Sequence, residues 1–282
     1  NYLLFSKILY EYFFISLSLF FIGFLDDIKI RINPNKRLFL MIISLLFFII
    51  FLQIEIKDID LIFLNFWLEN KLFSTFFILL CFLFIVNGSN FIDGFNGLLT
   101  LNLIIINCLL LFINLKNDHF EIAFFLTAQI IILLTFLLFN FPKAKIFLGD
   151  SGSYLLGSLV ALNAIFTNNL NPNISSFFFC ILLFYLFFEV FFSFIRKVYQ
   201  KKSPIQPDSL HLHMLTYKKF THFFDPIKSN YLNSTAINFT YFLLVFPSVY
   251  FASNDIICKY WFFCLIIIYI FIYLRLYRLT KN

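Results

Sequence analysis

The chain has 282 residues, of which 61% are apolar and only 13% are charged, and its mean hydropathy is +0.91. Soluble domains are about half apolar and about a quarter charged, so this composition excludes an ordinary soluble domain and indicates a surface that faces lipid. The formal net charge is +6, and five cysteines lie singly in or beside apolar runs. Since no pair has a CxxC or zinc-site spacing, they are interpreted as small lipid-buried side chains.

Nine apolar segments are long enough to be transmembrane helices, which need about 20 residues each. In chain order they are 8–25, 38–54, 72–88, 98–115, 120–139, 153–168, 176–195, 237–253 and 260–275. The stretch 55–71 is predicted as a loop at the membrane interface, where the indole of Trp67 is stable. The pattern predicts an all-α, polytopic membrane bundle with residues 1–282 in one domain.

Lysine and arginine are concentrated in alternate connections between these spans. The connections 26–37, 140–152 and 196–236 and the C-terminus hold most of them, whereas the other set of connections holds few. The positive-inside rule places the first set, together with 89–97, in the cytoplasm, and the present N-terminus outside. Four polar clusters follow the first, third, fifth and seventh spans. Because two spans separate each cluster from the next, hydropathy alone puts all four on one face.

The first two clusters carry carboxylates and amides. Asp26 and Asp27 end the first span and would bind a divalent cation or act as a base, or would simply stop the helix as solvated acids. Asn90, Asp93 and Asn96 recur every three residues, which predicts one face of a helix. The alternative for this second cluster is a glycine-rich turn whose polar residues are solvated.

The third and fourth clusters carry a helix start and two histidines. Gly149–Ser153 is typical of a helix N-terminus whose free N–H groups bind phosphate, or of simple N-capping by Asp150 or Ser151. His211 and His213 lie outside every predicted span, and a non-helical loop would let both act together; the alternative is two solvated loop histidines. No third His or Cys has metal spacing, so a zinc site is excluded. Glu189, inside the seventh span, is either functional or a structural hydrogen-bonding group.

In this order, the four clusters resemble those of the polyprenyl-phosphate N-acetylhexosamine-1-phosphate transferases, the family of MraY and WecA. The matching segments are Asp26-Asp27, NGSNFIDGFNGL from Asn87, PKAKIFLGDSGS from Pro142 and SPIQPDSLHLH from Ser203. The resemblance covers nearly the whole chain. The histidine segment is similar to the WecA-like, surface-polysaccharide branch, although Met214 replaces a third histidine. Family members have further spans before the Asp-Asp pair, so the chain is expected to lack N-terminal sequence.

The resemblance implies transfer of N-acetylhexosamine-1-phosphate from a UDP-sugar, UDP-GlcNAc first of all, to undecaprenyl phosphate, with release of UMP. It also implies Mg²⁺, with Mn²⁺ as the alternative, and a multi-pass protein of the bacterial cytoplasmic membrane whose active site faces the cytoplasm. The partners are the nucleotide sugar and the polyprenyl phosphate lipid; no nucleic acid is expected, and a homodimer is left open.

The resemblance also assigns roles to individual residues. Asn90 and Asp150 would bind the metal, and Asp26, Asp27 and Asp93 would be catalytic. The substrate-binding residues would be Asn87, Asn96, His211, His213, Lys36 and Arg37, with Asn96 facing the uracil and the histidines contacting the diphosphate.

Two other classes of protein compete with the transferase interpretation. A transporter would place ionisable residues near the membrane centre and repeat its broken helices in two halves, whereas only Glu189 is deeply placed and no repeated half is visible. A non-catalytic scaffold would not require carboxylates and amides on one face.

Overall fold

A computed structural model describes residues 2–28, 30, 32–204, 206 and 208–280 of the chain. These residues form helices and connections, without a strand. The α-helices are α1 Tyr2–Asp27, α2 Pro34–Phe51, α3 Ile62–Leu68, α4 Lys71–Ile92, α5 Leu98–Lys116, α6 Phe120–Asn140, α7 Gly149–Leu170, α8 Ser176–Leu182, α9 Phe184–Tyr199, α10 Leu212–Thr221, α11 Pro226–Val245 and α12 Asp255–Leu279; a 3₁₀ helix, Phe246–Phe251, follows α11.

Seven helical segments in the described part of the chain are long and apolar enough to cross a membrane. They are Phe5–Asp27, Pro34–Phe51, Lys71–Ile92, Leu98–Lys116, Phe120–Asn140, Pro226–Phe251 and Asp255–Leu279. An eighth is added if α8 and α9, which meet at 76°, form one broken span. The protein is therefore an all-α, polytopic membrane bundle, as predicted, but the count of nine spans is not confirmed.

Helix α7 occupies the position of the sixth predicted span, but it is not among the seven segments that are apolar enough to cross a membrane. Its buried side chains include Ser153, Ser158, Asn163 and Thr167. It packs against α1, α4 and α5, so these polar groups face protein and not lipid. A helix enclosed in this way does not need the uniformly apolar surface by which lipid-facing spans are identified.

Two glycines let the neighbours of α7 approach it closely. A Cβ atom on Gly23 of α1 would lie 2.5 Å from the backbone of Asp150, and one on Gly157 of α7 would lie 2.7 Å from Oγ of Ser89 in α4. Small residues at helix contacts are a common packing device in membranes. Here they bring the last turns of α1 and α4 beside the first turn of α7.

A buried polar network links the same helices deeper in the bundle. Nδ2 of Asn163 donates to Oδ1 of Asn107 at 3.0 Å and to Oε1 of Gln129 at 2.7 Å, and the hydroxyl of Tyr12 donates to Oδ1 of Asn163. Polar groups in an apolar interior must be hydrogen-bonded to be tolerated. The network therefore favours a single arrangement of α1, α5, α6 and α7.

The stretch 55–71 was predicted as a loop, and it contains the short helix α3. Nδ2 of Asn169 donates to the carbonyl of Glu55 at 2.7 Å, and Nδ2 of Asn168 donates to the carbonyl of Asp58 at 3.2 Å. Trp67 is 53% exposed. Asn168 lies near the end of α7, which begins at Gly149. Because the helix rises about 1.5 Å per residue, these contacts lie about 28 Å from its first residue, at the opposite end of the bundle.

The seventh predicted span, 176–195, is not continuous. It is divided at Leu183 into α8 and α9, and α9 lies against α4, where a Cβ atom on Gly88 would be 2.2 Å from the carbonyl oxygen of Leu186. Hydropathy does not reveal the bend, because the predicted span is apolar on both sides of Leu183. The bend turns α9, with its buried Glu189, toward the end of α4 that carries Asn90.

Candidate active site

The end of α1 is joined to the start of α7 by Asp27. Its Oδ1 accepts from the backbone N–H of Asp150 at 3.0 Å, and its Oδ2 accepts from the N–H and the hydroxyl of Ser151 at 3.0 and 2.5 Å. Gly149 has φ +66°, and a Cβ atom there would lie 2.7 Å from the Asp27 carboxylate. A carboxylate from a distant helix thus takes the N–H groups of Asp150 and Ser151. The expectation that these N–H groups are free to bind phosphate is therefore wrong, and so is the alternative of capping by Asp150 or Ser151.

Arg37, in the first turns of α2, bridges two of the predicted carboxylates. Its Nη1 donates to Oδ2 of Asp26 at 2.8 Å and also to Oδ2 of Asp150. The guanidinium stands 5.7 Å from the ring centre of Tyr154. The neighbouring Lys36 is exposed. Carboxylate oxygens of Asp26, from α1, and of Asp150, from α7, thus converge on one position, which the positively charged guanidinium of Arg37 occupies.

Asn90 links the last turns of α4 to the same group. Its Nδ2 donates to Oδ1 of Asp150 at 2.7 Å and to Oγ of Ser153 at 3.1 Å. Burial raises the pKa of Asp150, and nearby Asp26 raises it further, whereas the hydrogen bond from Asn90 and the charge of Arg37 lower it; the net direction is upward. The hydrogen bond from Asn90 and the charge of Arg37 therefore offset part of the effect of burial on this pKa.

Asp93 and Asn96 follow α4 and do not continue it. The helix ends at Ile92, so the predicted helical face stops after Asn90 and residues 93–97 form a turn. Gly97, which has φ +74°, ends this turn and precedes α5, in a conformation that glycine adopts readily. Burial, together with the charges of Asp150 and Asp27, raises the pKa of Asp93 to about 7.

Two asparagines that were not predicted as site residues hold this turn. Oδ1 of Asn140 accepts from the N–H of Gly97 at 2.6 Å, and Oδ1 of Asn230 accepts from the N–H of Asn96 at 2.9 Å. The side chain of Asn96 donates to the carbonyl of Pro142 at 3.0 Å. Asn87, inside α4, donates to the carbonyl of Leu83 at 2.7 Å. Asn140 had a weak signal, since it begins the third polar cluster, and Asn230 had none.

The two histidines are buried, so the prediction of solvated loop histidines is wrong. His211 is 7% exposed and His213 is fully buried. Nδ1 of His211 lies 2.9 Å from Oε1 of Glu189, which also accepts from the N–H of Leu212 at 3.0 Å. Oε2 of Glu189 accepts from the hydroxyl of Tyr269 at 2.7 Å. Glu189 is thus a hydrogen-bonding hub between α9, α10 and α12, and it also binds a predicted site histidine directly.

A buried ion pair holds the segment that precedes the histidines. Nη1 and Nη2 of Arg196 donate to the carboxylate of Asp208 at 2.7 and 3.1 Å, and Oδ1 of Asp208 lies 3.6 Å from Nε2 of His211. Burial alone would raise the pKa of Asp208, but the bonds from Arg196 outweigh it and lower that pKa. Arg196 was counted only as a cytoplasmic charge; its role here depends on a tertiary contact.

The histidines adjoin the carboxylate side through the end of α4. The rings of His211 and His213 are parallel, with centroids 5.3 Å apart, because His211 is extended at the N-cap of α10. The ring of Phe91 lies 5.2 Å from that of His211, and the ring of Phe95 lies 5.8 Å from that of His213. Since Phe91 directly follows Asn90, all four polar clusters meet at one end of the bundle.

The carboxylate side fits a hard divalent cation. Within the described ranges, no three His, Cys, Asp or Glu side chains are grouped closely enough to form a complete protein-only site. Mg²⁺ is commonly bound by one or two carboxylates together with substrate phosphates and water. Asp26 and Asp150 already surround a cationic group, the Arg37 guanidinium, so the arrangement of oxygens around a positive charge is present.

Comparison with known proteins identifies several relatives. The chain is 28% identical over 208 residues to the undecaprenyl-phosphate alpha-N-acetylglucosaminyl 1-phosphate transferase of Thermotoga maritima, over 74% of this chain and 62% of that protein. It is 34% identical over 154 residues to a phospho-N-acetylmuramoyl-pentapeptide-transferase of Clostridium perfringens, over 51% and 48% of the two chains. It is 33% identical over 149 residues to the decaprenyl-phosphate N-acetylglucosaminephosphotransferase of Mycobacterium leprae, over 46% and 37%.

The chain therefore spans less than two thirds of the length of each of these relatives. The comparisons do not support the alternative of a membrane transporter. The model of one protein family, described as glycosyl transferase family 4, matches residues 9–168, which is more than half of the chain. This range includes Asp26, Asp27, Asn90, Asp93 and Asp150, the residues that the fold brings to one end of the bundle. The chain belongs to glycosyl transferase family 4.

Proposed function

We propose that the protein transfers N-acetylhexosamine-1-phosphate from a UDP-sugar to polyprenyl phosphate. An oxygen of the lipid phosphate attacks the β-phosphorus, the bond between that phosphorus and the bridging oxygen of the diphosphate breaks, and UMP leaves. The observation that carries the proposal is the grouping of Asp26, Asp27, Asn90 and Asp150 around one position at the end of the bundle. Membership of the family supports it.

The cation in this proposal is Mg²⁺, with Mn²⁺ as the alternative, held by Asp150 and the amide oxygen of Asn90. When bound, such an ion neutralises charge that develops on the transferring phosphoryl group. The hydrogen bond from Nδ2 of Asn90 to Asp150 supports this assignment, because it leaves the amide oxygen of Asn90 free to act as a ligand.

The adjacent acids Asp26 and Asp27 take different parts. Both oxygens of Asp27 accept hydrogen bonds from the start of α7, which supports a positioning role. Asp26 accepts a hydrogen bond from Arg37, and its side chain is 32% exposed, which supports contact with the lipid phosphate. Asp93 serves as a proton acceptor or as support for the metal site, and its pKa near 7 suits proton exchange at neutral pH.

The remaining predicted residues form the side of the site that binds the nucleotide sugar. His211 and His213 are buried, so they position the diphosphate side of the site without contacting the diphosphate itself. Lys36 and Arg37 attract phosphate, and Asn87 and Asn96 line the nucleotide side. The relatives named for undecaprenyl- and decaprenyl-phosphate GlcNAc-1-phosphate transfer favour UDP-GlcNAc as the donor. The site faces the cytoplasm of a bacterial inner membrane, where soluble nucleotide sugars are made.

The test is release of UMP from UDP-GlcNAc by the chain in detergent, with undecaprenyl phosphate and Mg²⁺. We expect UMP and a lipid-linked diphospho-sugar in equal amounts, and no UMP without the lipid phosphate. UMP release that does not depend on the lipid would contradict the proposal and indicate hydrolysis. A panel of UDP-sugars in the same assay identifies the donor.

A further inference from the structure

One nitrogen of Arg37 lies between carboxylates that come from two different helices. Nη1 donates to Oδ2 of Asp26 at 2.8 Å and to Oδ2 of Asp150. The three side chains are 22%, 32% and 24% exposed, so none of them is sealed from solvent. The ring of Tyr154, whose centre is 5.7 Å away, provides a further favourable surface for the guanidinium.

This arrangement engages both oxygens of Asp150. Oδ1 accepts from Asn90 at 2.7 Å and Oδ2 accepts from Arg37. A divalent cation bound to Oδ2 would be next to the guanidinium, and the two positive charges would repel each other strongly at a partly buried site. Arg37 must therefore move away from Asp150 before a cation can bind there.

We propose that Arg37 and the divalent cation compete for Asp150, and that the diphosphate of the nucleotide sugar decides the competition. The diphosphate offers the displaced guanidinium a new partner, since arginine binds phosphate oxygens through two parallel hydrogen bonds. Cation binding and nucleotide binding then strengthen each other, and the coupling is reciprocal. The inference rests on the proposed function, because that proposal places the cation at Asp150.

Two consequences separate this exchange from simple attraction of substrate by a positive residue. Removing Arg37 weakens nucleotide binding, as any phosphate ligand would predict. It also tightens cation binding when no nucleotide is present, and by more than the removal of a positive charge that does not contact Asp150. Measuring the cation alone therefore tests the proposal without any turnover.

The experiment is titration of Mn²⁺ into the whole chain in detergent, followed by electron paramagnetic resonance, with and without UDP-GlcNAc. For the wild type we expect the nucleotide to lower the Mn²⁺ Kd by about tenfold, within the usual range of coupling. Arg37→Gln should bind Mn²⁺ about tenfold more tightly than the wild type without nucleotide, and should gain less than about threefold from the nucleotide.

Two variants serve as controls. Lys145→Gln removes one positive charge from an exposed side chain at the same end of the bundle, and it should change the Mn²⁺ Kd by less than about threefold, because screened surface charges act weakly. Arg37→Lys keeps a positively charged side chain beside Asp26 and Asp150. When no nucleotide is present, this variant should therefore bind Mn²⁺ as weakly as the wild type does. It also keeps the inference testable if Arg37→Gln fails to fold.

The outcomes distinguish the inference from the function on which it rests. If Arg37→Gln binds Mn²⁺ as the wild type does, or if Arg37→Lys binds it tightly, the competition is overturned while the proposed function stands. If Asp150→Asn and the wild type bind Mn²⁺ with the same affinity in the presence of nucleotide, the cation site is not at Asp150. In that case the proposed function loses its metal assignment and the inference falls with it.

Discussion

Two polar clusters at the same end of the bundle are built in opposite ways. In the carboxylate cluster, formed by Asp26, Asp150, Asn90 and Arg37, the charged side chains remain 22–32% exposed. In the histidine cluster, formed by Glu189, His211, His213 and Tyr269, the Glu189 side chain is 1% exposed and His213 is fully buried. The first cluster keeps its charges within reach of an incoming ion, whereas the second is closed.

The difference indicates that the carboxylate cluster can exchange its partners, whereas the histidine cluster maintains a fixed geometry. A charge pair near solvent contributes little net stability, since water can replace either partner. A buried carboxylate that accepts three hydrogen bonds cannot lose one without leaving an unpaired polar group in an apolar environment. Changes in the carboxylate cluster should therefore affect turnover more than stability, and changes in the histidine cluster should affect both.

The largest expected effect is on turnover, in Asp150→Asn. The substitution keeps the shape of the side chain and removes the charge that would hold the cation. Turnover, measured as UMP release, should fall by about 10²-fold or more, because interactions of the metal type contribute several kcal/mol in the transition state. The melting temperature should change little, since the side chain is partly exposed. Unchanged turnover in this variant would remove Asp150 from the metal site.

Stability should respond most to His213→Ala. The imidazole is fully buried, so its removal leaves a cavity and should lower the free energy of unfolding by about 2 kcal/mol or more. His222 is a matched control because it is an exposed histidine near the end of the same helix, and His222→Ala should stay within about 0.5 kcal/mol. Chemical unfolding in detergent measures both. Equal effects would mean that the histidine cluster is open to solvent.

Tyr269 and Tyr273 allow a comparison of how much a hydrogen bond to the buried Glu189 carboxylate and one to a backbone carbonyl contribute to stability. They lie one turn apart on α12; the hydroxyl of Tyr269 donates to Glu189 at 2.7 Å, and that of Tyr273 donates to the carbonyl of Leu210 at 3.0 Å. Tyr269→Phe should cost about 1.5–3 kcal/mol of unfolding free energy and Tyr273→Phe about 1 kcal/mol, because hydrogen bonds to charged groups are stronger. The reverse order would indicate that Glu189 is protonated.

A pH dependence of stability is expected at Asp93, whose pKa is raised to about 7. The folded chain favours the protonated form, so this contribution to stability is present at low pH and is lost as the pH rises from about 4 through 7. Asp93→Asn is neutral throughout. Its melting temperature relative to the wild type should therefore rise between about pH 5 and pH 8, measured in EDTA. A constant difference would show that Asp93 is solvated.

Part of the site was predictable from hydropathy. Asp27, Asn90 and Asp150 follow the first, third and fifth apolar runs, and an even number of crossings between them puts them on one face. The partner of each residue was not predictable. Asp27 caps α7 across 124 positions of sequence, and no local pattern distinguishes a carboxylate that caps its own helix from one that caps another.

The buried state of the histidines was also beyond local patterns. The segment 203–213 is polar, which is typical of a solvated loop. Its two histidines are enclosed because the bend between α8 and α9 and the packing of α12 place Glu189 and Tyr269 beside them. A polar side chain is buried when a partner for it is already in place, and here the partners come from helices that are distant in the chain.

The amino-acid sequence by itself determined that the chain forms apolar, membrane-spanning helices and that the four clusters lie at one end of the bundle. Both follow from the free energy of transferring side chains between water and lipid, which depends on the composition of each segment alone. Tertiary structure alone decided that α7 is enclosed, that Arg37 stands between Asp26 and Asp150, and that Glu189 holds His211. These are pairings of polar groups, and their energies depend on distances that exist only once the helices have packed against one another.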